Sequence, residues 1–184
     1  MTMRPARKRA RTPLDADRLE ELALAYVARF ATTRVKLEAY LARKLRERGW
    51  DGDGEPPVSA LAAKLVEAGY VDDAAFAKAK SGSLLRRGYG GRRVTQALVA
   101  AGIAEELREH IRPGEAEERH AALALARKRR FGPFGSEPPD RAGREKQLAA
   151  MLRAGHRLDN ARELVDAPSV EAAEEWAAET CEDD

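Results

Sequence analysis

The sequence predicts an all-α protein, an elongated array of three tandem three-helix repeats with about nine helices. The first observation is a period: three glycines stand 53 residues apart, each preceded four positions earlier by leucine or methionine. They are Gly49, Gly102 and Gly155, with Leu45, Leu98 and Met151. The second is composition, since 35% charged and only 5% aromatic residues suit many thin helices and disfavour a β-sandwich. Such a period is typical of stacked helical units and favours a binding surface over a catalytic pocket.

Prolines, glycines and changes in charge divide the chain into five segments. The predicted boundaries are a basic disordered arm at 1–13, repeats at 14–69, 70–112 and 113–167, and an acidic tail at 168–184. In the arm, Pro5 and Pro13 keep five basic residues out of a helix, because proline lacks an N–H and clashes with the preceding turn.

The first repeat is predicted to contain three helices joined by one long linker. Their apolar positions are Leu19, Leu22, Tyr26 and Phe30, then Leu37, Leu41 and Leu45, then Val58, Leu61, Leu65 and Val66. Gly49 ends the second helix, because a residue without Cβ enters the left-handed conformation at little cost. The DGDGEPP stretch from Asp51 to Pro57 is predicted to be a flexible linker ahead of the third helix.

The second repeat begins at a pair of carboxylates. Asp72 and Asp73 are expected to cap a helix that contains Phe76, by accepting unpaired N–H groups and complementing the helix dipole. The second helix and the shorter third helix are marked by Val94, Ala97, Leu98 and Ala101, then by Leu107 and Ile111.

The third repeat follows Pro113 and Gly114. Its helices are marked by Leu123, Ala124 and Arg127, then by the segment before Gly155, then by Leu158, Ala161, Leu164 and Val165. Two glycines and three prolines between 132 and 139 predict a true loop between its first two helices.

The net charge of +2 conceals a strong asymmetry. Residues 166–184 hold eight acids and no base, so 33 basic and 23 acidic residues precede them and give that part a charge of +10. A basic body indicates a polyanionic partner, and an acidic tail is able to compete with that partner for the same surface. Deleting 168–184 is then expected to tighten binding to polyanions. The alternative, that both ends are simply solvated, stays open.

The sequence favours no enzyme, metal or cofactor. Asp72 and Asp73 are interpreted as capping residues, the DGDGE stretch lacks the glycine and glutamate that a calcium loop requires, and the three histidines lack ligand spacing. No apolar run approaches a membrane span, and the lone Cys181 fits a reducing compartment. We therefore expect a cytoplasmic protein with no membrane partner.

The glycine-rich run GYGGRR is the strongest candidate binding site. Its amides are expected to hold a phosphate at the start of the next helix, and four guanidinium groups surround them. The proposed contacts are Arg86, Arg87, Gly88, Gly90, Arg92 and Arg93. The alternative is a helix junction whose arginines are merely solvated.

Two further basic clusters occupy related places in the other repeats. They are Arg43, Lys44, Arg46 and Arg48 in the first repeat, and Arg127, Lys128, Arg129 and Arg130 in the third. Together the clusters predict salt-sensitive binding of weak sequence specificity along a nucleic acid or an acidic filament. Tyr89 and Trp50 are candidates for stacking on bases, with burial at repeat junctions as the favoured alternative.

Several stretches resemble the RecX family of recombination regulators, particularly its alphaproteobacterial-type branch. They are LAYVARFATTRVKLEAYLARKLRERG from Leu24, GYVDDAAFA from Gly69, LLRRGYGGRRVTQALVAAGI from Leu84, ALARKRRFGPFG from Ala124 and REKQLAAMLRAGHRLDNARELVDA from Arg144. The resemblance covers roughly residues 19–167, and its most specific part is GYVDDAAFA followed by RRGYGGRRV. The arm and the acidic tail lie outside it.

The resemblance implies a non-catalytic protein that lies in the groove of the RecA filament on single-stranded DNA, with double-stranded DNA as an alternative ligand. It implies inhibition of ATP hydrolysis, strand exchange and filament growth, and a role in recombination and repair. By position, the arginines of the basic turn take a contact role, and Asp72, Asp73 and Phe76 a structural one. We expect a monomer. The other hypotheses are a stand-alone, sequence-nonspecific nucleic-acid-binding module and a plain helical scaffold for an acidic partner.

Overall fold

The computed structural model describes residues 12–179, and this range contains ten α-helices and one short 3-10 helix. The α-helices are α1 (Ala16–Val27), α2 (Arg34–Arg48), α3 (Val58–Glu67), α4 (Asp73–Arg86), α5 (Gly91–Val99), α6 (Glu105–His110), α7 (Glu115–Arg129), α8 (Arg141–Arg153), α9 (Leu158–Val165) and α10 (Val170–Ala178). The 3-10 helix is Gly132–Phe134. The all-α prediction is confirmed. The basic arm, apart from Thr12 and Pro13, and Cys181 lie outside the described residues.

The chain divides into two compact units, Met1–Asp73 and Ala74–Asp184. Three helices fall within each predicted repeat range, α1–α3, α4–α6 and α7–α9, and α10 is additional. The division into three repeats stays a prediction, because the helices of the second and third ranges belong to one compact unit.

The three glycines that define the period all have positive φ angles. Their φ angles are +86° at Gly49, +74° at Gly102 and +96° at Gly155, and each follows a helix directly or within three residues. Glycine is favoured there because a Cβ penalises positive φ. The predicted helix ends are therefore confirmed.

The core of the first unit is formed by leucines from α1, α2 and α3. Leu19, Leu37 and Leu41 are completely buried, and Leu14 joins them through a single β-bridge to Trp50. Two expected core residues differ: Val66 is 39% exposed, and Phe30 lies three residues beyond the end of α1 and is 57% exposed. The helix ends at Val27, so the apolar spacing that placed Phe30 on α1 continues past the helix itself.

Asp73 has a contact that the sequence does not predict. The helix does begin at Asp73, but its carboxylate accepts a hydrogen bond from the Arg34 N–H at 3.0 Å. Arg34 is the first residue of α2, where N–H groups have no partner within the helix. Asp73 therefore stabilises the start of α2, together with the N-cap Thr33.

The second unit contains two apolar clusters that share α7. Val94, Leu98 and Ile103 pack with Ala121 of α7, while Leu123, Met151 and Leu164 form the other cluster with further α7 residues. Because neighbouring residues of α7 enter both clusters, this helix connects the predicted second and third repeats within one compact unit. Phe76 packs against the first of these clusters, in keeping with its expected structural role.

The acidic segment after Asp166 is a packed helix as far as Ala178, which corrects the expectation of a separate tail beginning at 168. Ala173 and Ala177 of α10 are buried in the core of the third repeat. The guanidinium of Arg119 donates to the carbonyls of Trp176 at 3.0 Å and Glu179 at 3.2 Å, and it lies 5.1 Å from the Trp176 ring. Deleting 168–184 would thus remove core contacts as well as charge, and this deletion does not isolate an electrostatic effect.

Candidate nucleic-acid interface

The turn between α4 and α5 presents all four of its predicted arginines to solvent. Arg86 ends α4, Arg87 follows it, and Arg92 and Arg93 lie in the first turn of α5; all four are exposed. The turn itself is closely packed. A Cβ at Gly88, whose φ is +84°, would lie 2.9 Å from the Leu125 backbone nitrogen, so α7 approaches the turn too closely for a side chain.

Most amides of this turn already have backbone partners, whereas the sequence predicts that they hold a phosphate. The Gly90 N–H donates to the Ala154 carbonyl at 3.0 Å, and the Arg92 N–H donates to the Gly155 carbonyl at 3.2 Å. The turn after α8 therefore occupies the start of α5, where an anion was expected. Gly88 and Gly90 permit close packing, whereas the arginine side chains of the run are exposed and Tyr89 is half-buried.

His156 is buried in the turn after α8, and it connects this turn to the α4–α5 turn by a hydrogen bond. The imidazole is 2% exposed, and its Nε2–H donates to the Gly88 carbonyl at 3.0 Å, whereas Nδ1 has no partner among the described residues. Burial lowers the pKa of His156 below its ordinary value of 6.5, and the hydrogen bond to Gly88 opposes this effect. The folded chain therefore favours the neutral imidazole.

We expect the second unit to lose stability as the pH falls through the ordinary histidine range. Between the lowered pKa of folded His156 and 6.5, the unfolded chain binds more protons, so the free energy of unfolding decreases with decreasing pH. Urea unfolding followed by Trp176 fluorescence, in a Trp50→Phe background, measures the free energy of unfolding of the second unit at pH 7.5 and at pH 5.5. His156→Gln retains an N–H donor but does not titrate, so its free energy of unfolding should decrease less between pH 7.5 and pH 5.5. Equal pH dependence in both proteins would contradict the assignment.

Two of the three predicted basic clusters meet in one cleft of the second unit. Arg87 and Tyr89 line it from the α4–α5 turn, and Lys128 and Arg129 line it from the end of α7. The cleft has a volume of about 110 Å³, with Leu125 and Phe131 among its apolar lining. The Arg87 guanidinium lies 5.3 Å from the centre of the half-buried Tyr89 ring. The cations are able to bind phosphates, and the aromatic ring is able to stack on a base.

Helix α10 contacts one member of the third basic cluster, Arg127. Arg127 forms an ion pair with Glu174 of α10, and its guanidinium lies 5.8 Å from the centre of the Phe134 ring. These contacts within the protein disfavour a role for Arg127 in binding. Lys128, Arg129 and Arg130 are exposed, and Arg130 directly follows α7 in the left-handed conformation with φ +57°. The acidic helix thus neutralises one member of the cluster.

Arg92 faces a second groove of about 500 Å³ that the sequence did not indicate. Its other cationic residues are Arg108, Arg112 and Arg157, and its carboxylates are Glu109, Glu115 and Glu118. Burial raises the pKa of Glu118, opposed by Arg157 and Arg112. Arg157 lies 45 residues beyond Arg112 in the sequence, so no local motif reveals that these arginines share a groove with Arg92.

In the first unit, most of the predicted basic cluster already has partners. Arg43 and Lys44 lie 3.8 Å and 3.0 Å from Glu47, and the Arg48 side chain donates to the Thr12 carbonyl at 2.9 Å. Arg46 is exposed, without an ion pair among residues 12–179. Trp50 is half-buried and donates to the Gly54 carbonyl at 3.0 Å, so burial rather than base stacking describes it best.

The described residues show neither a metal centre nor a membrane span. Over this part of the chain, no three His, Cys, Asp or Glu side chains cluster closely enough to hold a metal ion. None of the helices within residues 12–179 is long and apolar enough to cross a bilayer.

Comparison with known proteins agrees with this architecture. The family profile "RecX, second three-helix domain" matches residues 72–110, which span α4 to α6. Regulatory protein RecX of Myxococcus xanthus is 36% identical over 157 residues, covering 80% of this chain and 84% of that protein. The Chromohalobacter salexigens protein of the same name is 30% identical, covering 70% of this chain and 80% of the relative.

A solved structure extends the likeness to the fold. The crystal structure of RecX from Lactobacillus salivarius superposes with a TM-score of 0.65 at 18% identity, covering 82% of this chain and 94% of that chain. The alphaproteobacterial-type branch stays a prediction. With relatives at this identity over most of both sequences, the chain belongs to the RecX family of regulatory proteins.

Proposed function

We propose that this protein binds the RecA filament on single-stranded DNA and inhibits its ATP hydrolysis, strand exchange and growth, and thereby modulates recombination and repair in the cytoplasm. Membership of the RecX family supports the regulatory role. The observation that carries the proposal is the cleft in which Arg87 and Tyr89 meet Lys128 and Arg129, because its cations and ring suit a nucleoprotein ligand.

Inhibition without catalysis requires differential affinity. A ligand shifts a conformational equilibrium only to the extent that it binds one state more tightly than the other. We therefore propose tighter binding to a filament geometry that cannot complete its ATP cycle or add further subunits. Contacts from both units would add through effective concentration, so that individually weak contacts give useful affinity.

The leading alternative is a stand-alone, sequence-nonspecific nucleic-acid-binding module. One contact favours this alternative: the Arg87 guanidinium lies 5.3 Å from the centre of the Tyr89 ring. This pair is suited to a base and its phosphate without any protein partner. In this case the protein would bind bare single-stranded DNA as tightly as it binds the filament.

Co-sedimentation separates the two functions. The protein is mixed with RecA filaments formed on single-stranded DNA, with the same DNA alone, or with RecA alone, at one fixed salt concentration. Our proposal expects the tightest binding to the filament. Equal affinity for the filament and for bare DNA would favour the alternative, and no binding to the filament would contradict the proposal.

A further inference from the structure

Three aromatic side chains of the first unit form a ladder, and apolar spacing in the sequence indicates only its Tyr26–Phe30 pair. The rings of Tyr26 and Tyr40 stack with centroids 4.1 Å apart and an angle of 14° between their planes. The Phe30 ring lies 5.3 Å from the Tyr26 ring, tilted by 46°. The tyrosines are half-buried, whereas Phe30 is 57% exposed and forms the solvent end of the ladder.

The other end of the ladder carries positive charge. The guanidinium of Arg43 and the ammonium of Lys44 each lie 5.7 Å from the centre of the Tyr40 ring. Both also pair with the single carboxylate of Glu47, so this group retains a net charge of +1. Arg29, next to Phe30 in the sequence, is exposed as well. Aromatic faces and cations therefore lie on one surface.

This combination selects a class of ligand. An acidic protein segment would engage the cations but would leave the rings unused, whereas unpaired bases stack on aromatic faces and carry phosphates that seek the cations. The observations thus favour single-stranded nucleic acid over an acidic partner protein.

We propose that Phe30, Tyr26 and Tyr40 form a base-stacking site for single-stranded nucleic acid, and that Arg43 and Lys44 contact its phosphates. The site deepens the proposed function by giving the first unit a DNA contact of its own, and it rests on that function only for its biological setting. A base stacks on the exposed ring of Phe30, and the two tyrosines hold that ring in place.

The test compares two oligomers in fluorescence anisotropy: a labelled oligo(dT) and an abasic sugar-phosphate chain of the same length. Phe30→Ala in the full chain is expected to weaken oligo(dT) binding about tenfold, the loss typical of one stacked base, and to leave abasic binding unchanged. Phe30→Trp retains a ring and should preserve binding. Tyr70→Ala is the matched control, because Tyr70 belongs to the same unit and is 61% exposed without a ring partner among the described residues.

Each outcome decides the proposal. Unchanged oligo(dT) affinity in Phe30→Ala, or equal losses for oligo(dT) and abasic chain, would overturn base stacking. Loss of filament binding with unchanged oligo(dT) affinity would show that this surface contacts protein instead. A selective loss in oligo(dT) binding supports the site even if the wild-type protein does not bind RecA filaments, so failure of the proposed function is distinguishable.

Discussion

Replacing Gly155 with alanine is expected to destabilise the second unit by roughly 2–5 kcal/mol, the sum of two separate effects. Gly155 has a φ of +96°, where a Cβ costs about 1–2 kcal/mol. The new Cβ would also lie 2.5 Å from the backbone nitrogen of Arg93, and backbone atoms cannot move aside as a flexible side chain can. Overpacking of this kind adds roughly 1–3 kcal/mol.

Two glycines of the same chain separate these effects. Gly49 has a φ of +86°, and a Cβ added there would meet no atom within 4 Å, so Gly49→Ala should show the conformational cost alone. Gly114 has a φ of −71° and equally open surroundings, so Gly114→Ala should cost only the loss of a favourable N-cap residue, about 1 kcal/mol or less. Urea unfolding monitored at Trp176 measures the second-unit variants, and unfolding monitored at Trp50 measures Gly49→Ala. A Gly155→Ala protein as stable as Gly114→Ala would contradict the packed junction.

Removing the three cations of the cleft, by Arg87→Ala, Lys128→Ala and Arg129→Ala together, is expected to weaken binding to single-stranded DNA or its RecA filament by about 10- to 100-fold at low salt. All three side chains are exposed, so helicity should be unchanged. Each phosphate contact contributes about 0.7 to the logarithmic salt slope for single strands, so the slope should become shallower by about 2. Anisotropy titrations over a range of salt concentrations measure both quantities.

A second triple variant, with the same net charge, controls for the effect of overall charge on DNA binding. Lys80→Ala, Arg141→Ala and Lys146→Ala remove three exposed cations of the same unit that do not line the cleft. This variant should lose much less affinity. Equal losses in the two triple variants would mean that overall charge, and not the cleft, determines binding.

The sequence predicted the helices well because the signals that end helices are local. Gly49, Gly102 and Gly155 mark helix ends through a backbone conformation that glycine adopts readily, and the structure bears out all three. The acidic helix α10 was missed for the opposite reason. Its stability depends on alanines buried against α7 and on Arg119, which is about 57 residues away from Trp176 in the chain.

The candidate site was predictable only in part. The arginines of the α4–α5 turn stand beside glycines, a local pattern, and they are exposed as expected. That Ala154 and Gly155 would satisfy the amides of that turn, or that Lys128 would line a cleft with Arg87, depends on the packing of α7 and α8. Apolar periodicity likewise gave Phe30 to a helix face, because it does not report where the helix ends.

The most direct test of the account is a titration of the purified protein into RecA that is hydrolysing ATP on single-stranded DNA, at two salt concentrations. We expect hydrolysis to fall with added protein, more steeply at the lower salt, and the cleft triple variant to need a far higher concentration for the same effect. Undiminished hydrolysis at concentrations that saturate binding to the DNA would contradict the claim that this protein restrains the filament.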